Sequence, residues 1–212
     1  MDLVRFSEIA GVPVHWQRWD NIGLRNIDPG FLAELSCALD SLWRVCPWGN
    51  AEAILSHGAY VNKPGWHGRG KALDLTGIRW PGQVPFVCGH TADNDDWLRY
   101  IGIEATLRRF IPQVLGWHEK SGRHRHHWHL DARPVQGFQV TSHVDVCFAQ
   151  DAITKVWGEY LQVDGLWGRK SRSAMARLMR DTGIEDFSTE SGWEDFLQRT
   201  AMRSFALYEN CL

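Results

Sequence analysis

The chain has 212 residues, 44% of them hydrophobic and 23% charged, with a formal net charge of −2. That length holds one domain, or one of about 150 residues beside a small module, and the composition suits an ordinary packed core. The charge excludes a nucleic-acid binder that works by bulk positive potential, and no run of about 18 apolar residues is present to span a membrane.

The opening stretch MDLVRFSEIAGVPVHWQRWD lacks a basic segment followed by an apolar one, so a chain without a secretory signal is expected. Asp28-Pro29 reads as an N-cap followed by proline at the first helical position, and Leu32, Leu35, Leu39 and Leu42 recur at helical spacing. A helix is therefore predicted over 29–44, ended by Cys46-Pro-Trp-Gly-Asn50. Residues 51–61 read as a strand, 62–70 as a loop, and Lys71 to Ile78 as a second strand; Pro81-Gly82 and Pro85 then break the chain. A second helix is predicted over 93–110, with Trp97, Leu98, Ile101, Ala105, Leu107 and Phe110 inward and Pro112 as its stop. Val114–Trp117 and His127–Ala132 read as two strands of a hairpin.

From about residue 150 the pattern turns wholly helical. Asp151 is expected to cap a helix carrying Ile153, Val156, Trp157, Tyr160 and Leu161, and Val163 to Gly168 to form a turn. A second helix buries Met175, Leu178 and Met179. Ser191-Gly-Trp-Glu194 has capping-box spacing ahead of Phe196, Leu197 and Phe205. The fold class expected is α+β, a small mainly antiparallel sheet with flanking helices over 1–149 and a three-helix module over 150–212. The five cysteines show no CxxC spacing and are expected as buried reduced thiols, not metal ligands. The twelve tryptophans are expected mostly as core.

Chemistry concentrates in two clusters, His67-Gly-Arg-Gly-Lys-Ala-Leu-Asp74 and His124-Arg-His-His-Trp-His-Leu-Asp131. A catalytic zinc takes three nitrogen or oxygen ligands and keeps one open position. Strand alternation puts His127, His129 and Asp131 on one face, with Trp128 and Leu130 on the other. Asp74 alternates in the same way against Leu73 and Leu75, so two such strands side by side bring Asp74 and His129 to one place, and His67 reaches it from the glycine-flanked loop. Gly68, Gly70 and Ala72 leave room for close backbone approach. His126 has the wrong parity and is expected to point outward. His15, His57, His90, His118 and His143 show no partner pattern, and Lys63, Arg69 and Arg123 read as solvated charges.

With these residues in place the chain resembles the LAS metallopeptidases, which include lysostaphin-type enzymes, D-Ala-D-Ala carboxypeptidases and hedgehog-type domains. It is most similar to the extensin-like C-terminal branch and to penicillin-insensitive murein endopeptidases. Their first motif, roughly H-x-x-G-x-A-x-D, is matched by His67, Gly70, Ala72 and Asp74. Their second, H-x-x-H-x-H-L-D, is matched by His124, His127, His129, Leu130 and Asp131. Gly65-Trp66 stands where that family usually has Ser or Ser-Glu. The resemblance spans about residues 50–135 and implies Zn2+ held by His67, Asp74 and His129. It further implies His127 as the general base or charge-stabilising group, with Glu119 as a rival base, and His124 assisting near the substrate. Asp131 would orient a ligand histidine from behind.

Val163-Asp-Gly-Leu-Trp-Gly-Arg-Lys-Ser-Arg-Ser-Ala-Met resembles the core of peptidoglycan-binding three-helix modules, with Arg169 in place of their common proline. The two resemblances together imply hydrolysis of amide bonds in peptidoglycan stems or cross-links, as endopeptidase or carboxypeptidase. They fit a phage lysin or a secreted antibacterial effector with an immunity protein or secretion carrier, made in the cytoplasm and acting in the periplasm or cell wall. The alternatives are a non-catalytic zinc-binding module and a metal-dependent nuclease; the net charge and the absence of asparagine from the hairpin speak against the nuclease.

Overall fold

The computed structural model describes residues 2–17, 21–135 and 137–210. Five short strands, for which the sequence offers no clear signal, open the chain: β1 (Val4–Phe6), β2 (Glu8–Ile9), β3 (Val12–Trp16), β4 (Asn21–Ile22) and β5 (Arg25–Ile27). Helix α1 (Pro29–Val45) begins at the expected cap, where Asp28 Oδ1 accepts the Phe31 N–H at 3.0 Å. It buries Phe31, Leu35, Ala38, Leu39 and Leu42, and Cys46 closes it. Then follow β6 (Ala53–Gly58), β7 (Ala72–Arg79), β8 (Phe86–Val87), α2 (Trp97–Arg108), β9 (Gln113–Leu115) and β10 (Trp128–Asp131), all close to the predicted positions except β8, where no strand is predicted. Three helices end the chain: α3 (His143–Lys155), α4 (Arg169–Thr182) and α5 (Glu190–Glu209).

One sheet runs in the order β2-β3-β6-β7-β10-β9, with β4 added to β3 and β8 to β7, while β1 and β5 make a separate ribbon. Its pairings are antiparallel except β3 with β6, so the mixed α+β class holds, with a mixed sheet. Helix α2 is buried on nearly every side. Helix α5 lies against it, with Ser204 Oγ donating to Leu98 O at 2.7 Å, and a Cβ at Gly102 would stand 3.0 Å from the Phe205 ring. Burial on all faces forces charges in α2 to be paired. Arg108 bonds Glu104 at 2.8 Å and Asp145 of α3 at 2.9 Å, and Trp128 Nε1 of β10 donates to Glu104 Oε2 at 3.0 Å. That network anchors the strand carrying His129.

The C-terminal part departs from expectation. Helix α3 passes straight through the expected division at 149/150. Its cap is Ser142, whose hydroxyl accepts from Asp145 N, and Asp151 is buried inside it. Tyr160, expected on that helix, lies beyond its end at Lys155 and is 88% exposed. Helix α5 is capped by Thr189, not Ser191, through the Gly192 N–H at 3.0 Å. The Val163–Gly168 turn is held by α3, because Gln150 Oε1 accepts the N–H groups of Asp164 and Gly165 at 3.1 and 3.0 Å. A single buried core consequently extends from Phe6 to Phe205. Among the cysteines, Cys46, Cys88 and Cys147 are buried and free as expected; Cys37 is free but exposed, and Cys211 lies outside the described residues. No helix among the described residues is long and apolar enough to cross a membrane.

Candidate metal centre

The loop carrying His67 is shaped by its glycines. A Cβ on Gly68 would stand 1.6 Å from Lys63 O, so the chain can pass there only without a side chain. Gly70 adopts φ 69°, and its carbonyl accepts the Asp28 N–H at 2.9 Å, which ties the loop to the start of α1. His67 itself opens a short 3-10 turn, His67–Arg69. The other side chains come from the sheet. In the antiparallel pairing of β7 with β10, Asp74 lies opposite His129 and Ala72 opposite Asp131. Trp128 and Leu130 are wholly buried on the far face, as strand alternation requires.

His67, Asp74 and His129 converge with ligand atoms all within 4.8 Å of one another. His67 Nε2 is 3.2 Å and His129 Nδ1 2.9 Å from the same oxygen, Asp74 Oδ1. Two ligands about 2.1 Å from a tetrahedral zinc sit about 3.4 Å apart, a little wider than these two separations. Each histidine has its other nitrogen committed elsewhere. His67 Nδ1 donates to Ala59 O at 2.5 Å, and His129 Nε2 faces Asp131 Oδ2 at 3.2 Å. Those partners fix the ring orientations and leave Nε2 of His67 and Nδ1 of His129 for a cation. Asp131 is fully buried, and its second oxygen accepts the Arg133 N–H at 2.9 Å. These residues can hold a metal ion.

The electrostatics follow from the same contacts. Burial alone would raise the Asp74 carboxyl, but hydrogen bonds from His129 and His67 outweigh it and hold Asp74 far below the usual carboxylate range. Burial would lower His129, yet Asp131 and Asp74 on either side raise it to about 9. The metal-free site thus keeps a proton on His129 at neutral pH, which a metal must displace. His127 lies just before β10, with Nε2 3.5 Å from Asp74 Oδ1. Its burial outweighs the pull of Asp74 and lowers it to about 4, so it is a neutral imidazole, and its Nδ1 is buried without a hydrogen-bond partner.

His124 joins the same group, its ring centroid 5.1 Å from His127 and 5.6 Å from His129, with Nδ1 3.3 Å from Glu119 Oε2. Glu119 is engaged by Ser121 through both backbone and side chain, which holds its carboxyl below the ordinary range. Its place is therefore beside His124, as a holder of that ring. Arg69 lies over the Trp66 ring at 5.0 Å, while Lys63 and Arg123 are exposed.

Histidines that show no partner pattern in the sequence have partners in the fold. His118 lies 3.4 Å from Asp151, and His143 contacts Cys147 Sγ at 3.4 Å. His57 forms a second group with His126 and His127, again with ligand atoms within 4.8 Å of one another. The strand carrying His57 is irregular at that point. Ser56 pairs with Leu75 and Gly58 with Asp74, which leaves His57 bulged out of the ladder. Ser56 Oγ patches the gap by donating to Asp74 O at 2.8 Å and accepting from Gly58 N. His126 is exposed as expected, but its ring is 4.6 Å from His127. Comparison with protein-family models, curated proteins and solved structures gives no match.

Proposed function

We propose that this protein is a zinc-dependent peptidase of the LAS type, cutting amide bonds in peptidoglycan stems or cross-links, with the cleaved bond involving a D-amino acid. The observation that carries the reading is the set His67, Asp74 and His129, each histidine oriented by a fixed partner, with neutral His127 beside it. Two imidazoles and one carboxylate are a ligand set suited to Zn2+ that keeps an open position. Such an ion supplies Lewis acidity and an acidified water when bound. His127 accepts a proton on a nitrogen facing the site and returns it to the leaving amine. His124, steadied by Glu119, stands beside His127 to contact the substrate. Asp131 accepts the hydrogen bond of His129 Nε2 and keeps the ring in position, with Nδ1 turned toward Asp74.

The substrate class rests on the motif resemblance at both ends of the chain. The 163–175 segment supports a wall-binding role for the C-terminal helices, docked on the rest of the molecule through α2. Either a phage lysin or an antibacterial effector is consistent with such a protein, the latter accompanied by an immunity protein and a secretion carrier. Digestion of purified sacculi with mass spectrometry of the released muropeptides tests the reading. New amine and carboxyl ends at a cross-link mean endopeptidase, loss of a terminal D-Ala means carboxypeptidase, and intact muropeptides with zinc-loaded protein refute both.

A further inference from the structure

We propose that His57, His126 and His127 form a second cation site. It would adjoin the first through His127, take Zn2+ or a similar late transition-metal ion, and when filled withdraw His127 from proton transfer. The binding half stands on its own geometry; the inhibitory half rests on the peptidase reading above.

Three features build the site. First, the three side chains already converge, with ligand atoms within 4.8 Å and ring centroids separated by 4.6 Å (His126–His127), 5.5 Å (His57–His126) and 6.3 Å (His57–His127). Second, the backbone is arranged to permit this. The bulge in β6 frees His57 from the strand's alternation, and Gly89 lets the His126 backbone come close, since a Cβ there would lie 3.3 Å from His126 Cβ. Third, His127 is only part-used by the first group: Nε2 faces Asp74, and Nδ1 is buried with no hydrogen-bond partner. An orphaned buried nitrogen is costly unless something pairs with it.

Chemistry selects the ion. Three imidazoles with neither carboxylate nor thiolate suit zinc, copper or nickel and do not suit magnesium or calcium, which require oxygen. Exposed His126 gives an ion a path from solvent. The consequence for His127 holds whichever nitrogen binds. A neutral imidazole has one lone pair. Coordination through Nε2 occupies the nitrogen facing Asp74, and coordination through Nδ1 forces the remaining proton onto Nε2. In both cases no basic nitrogen faces the first centre.

The test is titration of the metal-free full chain with Zn2+ against a chromogenic chelator. The wild type is expected to take up two ions per chain. His126→Ala, at an exposed position that leaves the fold intact, takes up one, as does His57→Ala. His67→Ala also takes up one, at the three-histidine site. One ion per chain in the wild type, or two in both His126→Ala and His57→Ala, overturns the site. On sacculi, the wild type should lose at least tenfold in rate as the second ion binds, and His126→Ala should not. Two ions bound without this loss overturn the inhibitory half. Failure of every form to release muropeptides refutes the peptidase reading, while the stoichiometry still decides the site.

Discussion

Asp131→Asn tests the centre with the smallest change of shape. Asp131 is fully buried and touches His129 Nε2 at 3.2 Å and the Arg133 N–H at 2.9 Å through separate oxygens. An asparagine can still accept the Arg133 N–H. Toward His129 it presents an amide that prefers to donate, which drives the ring proton onto Nδ1, the nitrogen a metal needs. Loss of such an orienting carboxylate weakens metal binding about 10- to 100-fold, or about 1.4–2.7 kcal/mol. The tautomer argument places this variant near the upper end, and chelator competition measures it.

The metal-free protein gives a second readout. His129, raised from 6.5 to about 9, stabilises the fold fully below pH 6.5 and loses that contribution as pH rises through 9. The whole effect is about 3 kcal/mol. Removing one of its two carboxylate partners should remove about half. Urea unfolding of both proteins should therefore show a gap of about 1–2 kcal/mol at pH 6 that narrows by pH 9.5. Unchanged zinc affinity, or a gap independent of pH, would refute the role given to Asp131.

Other substitutions probe separate links. His127→Ala should keep the first metal ion but lower peptide release about 10²- to 10⁴-fold; full activity would move the base elsewhere. Gly68→Ala pushes a Cβ into Lys63 O, so zinc affinity should fall while the core signal in near-ultraviolet circular dichroism persists. Trp128→Phe leaves Glu104 Oε2 without its 3.0 Å donor in a fully buried place and should destabilise by about 1–3 kcal/mol in denaturant unfolding. A loss below about 0.5 kcal/mol would show that water or Arg108 replaces that bond.

The residues of the first centre were legible because their geometry is local. Alternation along His127–Asp131 depends only on the two-residue repeat of a strand, and Asp28-Pro29 caps α1 using groups three residues apart. The three-histidine group was not legible. Whether His57 faces inward or out is set by a bulge against β7, and nothing within 51–61 marks it. The start of α3 was hidden for a related reason. Asp145, Gln150 and Asp151 are polar in sequence yet buried, because Arg108, the 163–166 turn and His118 lie against them. Their polarity interrupts the apolar stripe in the sequence and masks the first turns of the helix. Caps, turns and periodic strands follow from neighbours along the chain. Strand register, and the pairing that lets a charged residue be buried, follow from partners far along it, so packing alone settles them.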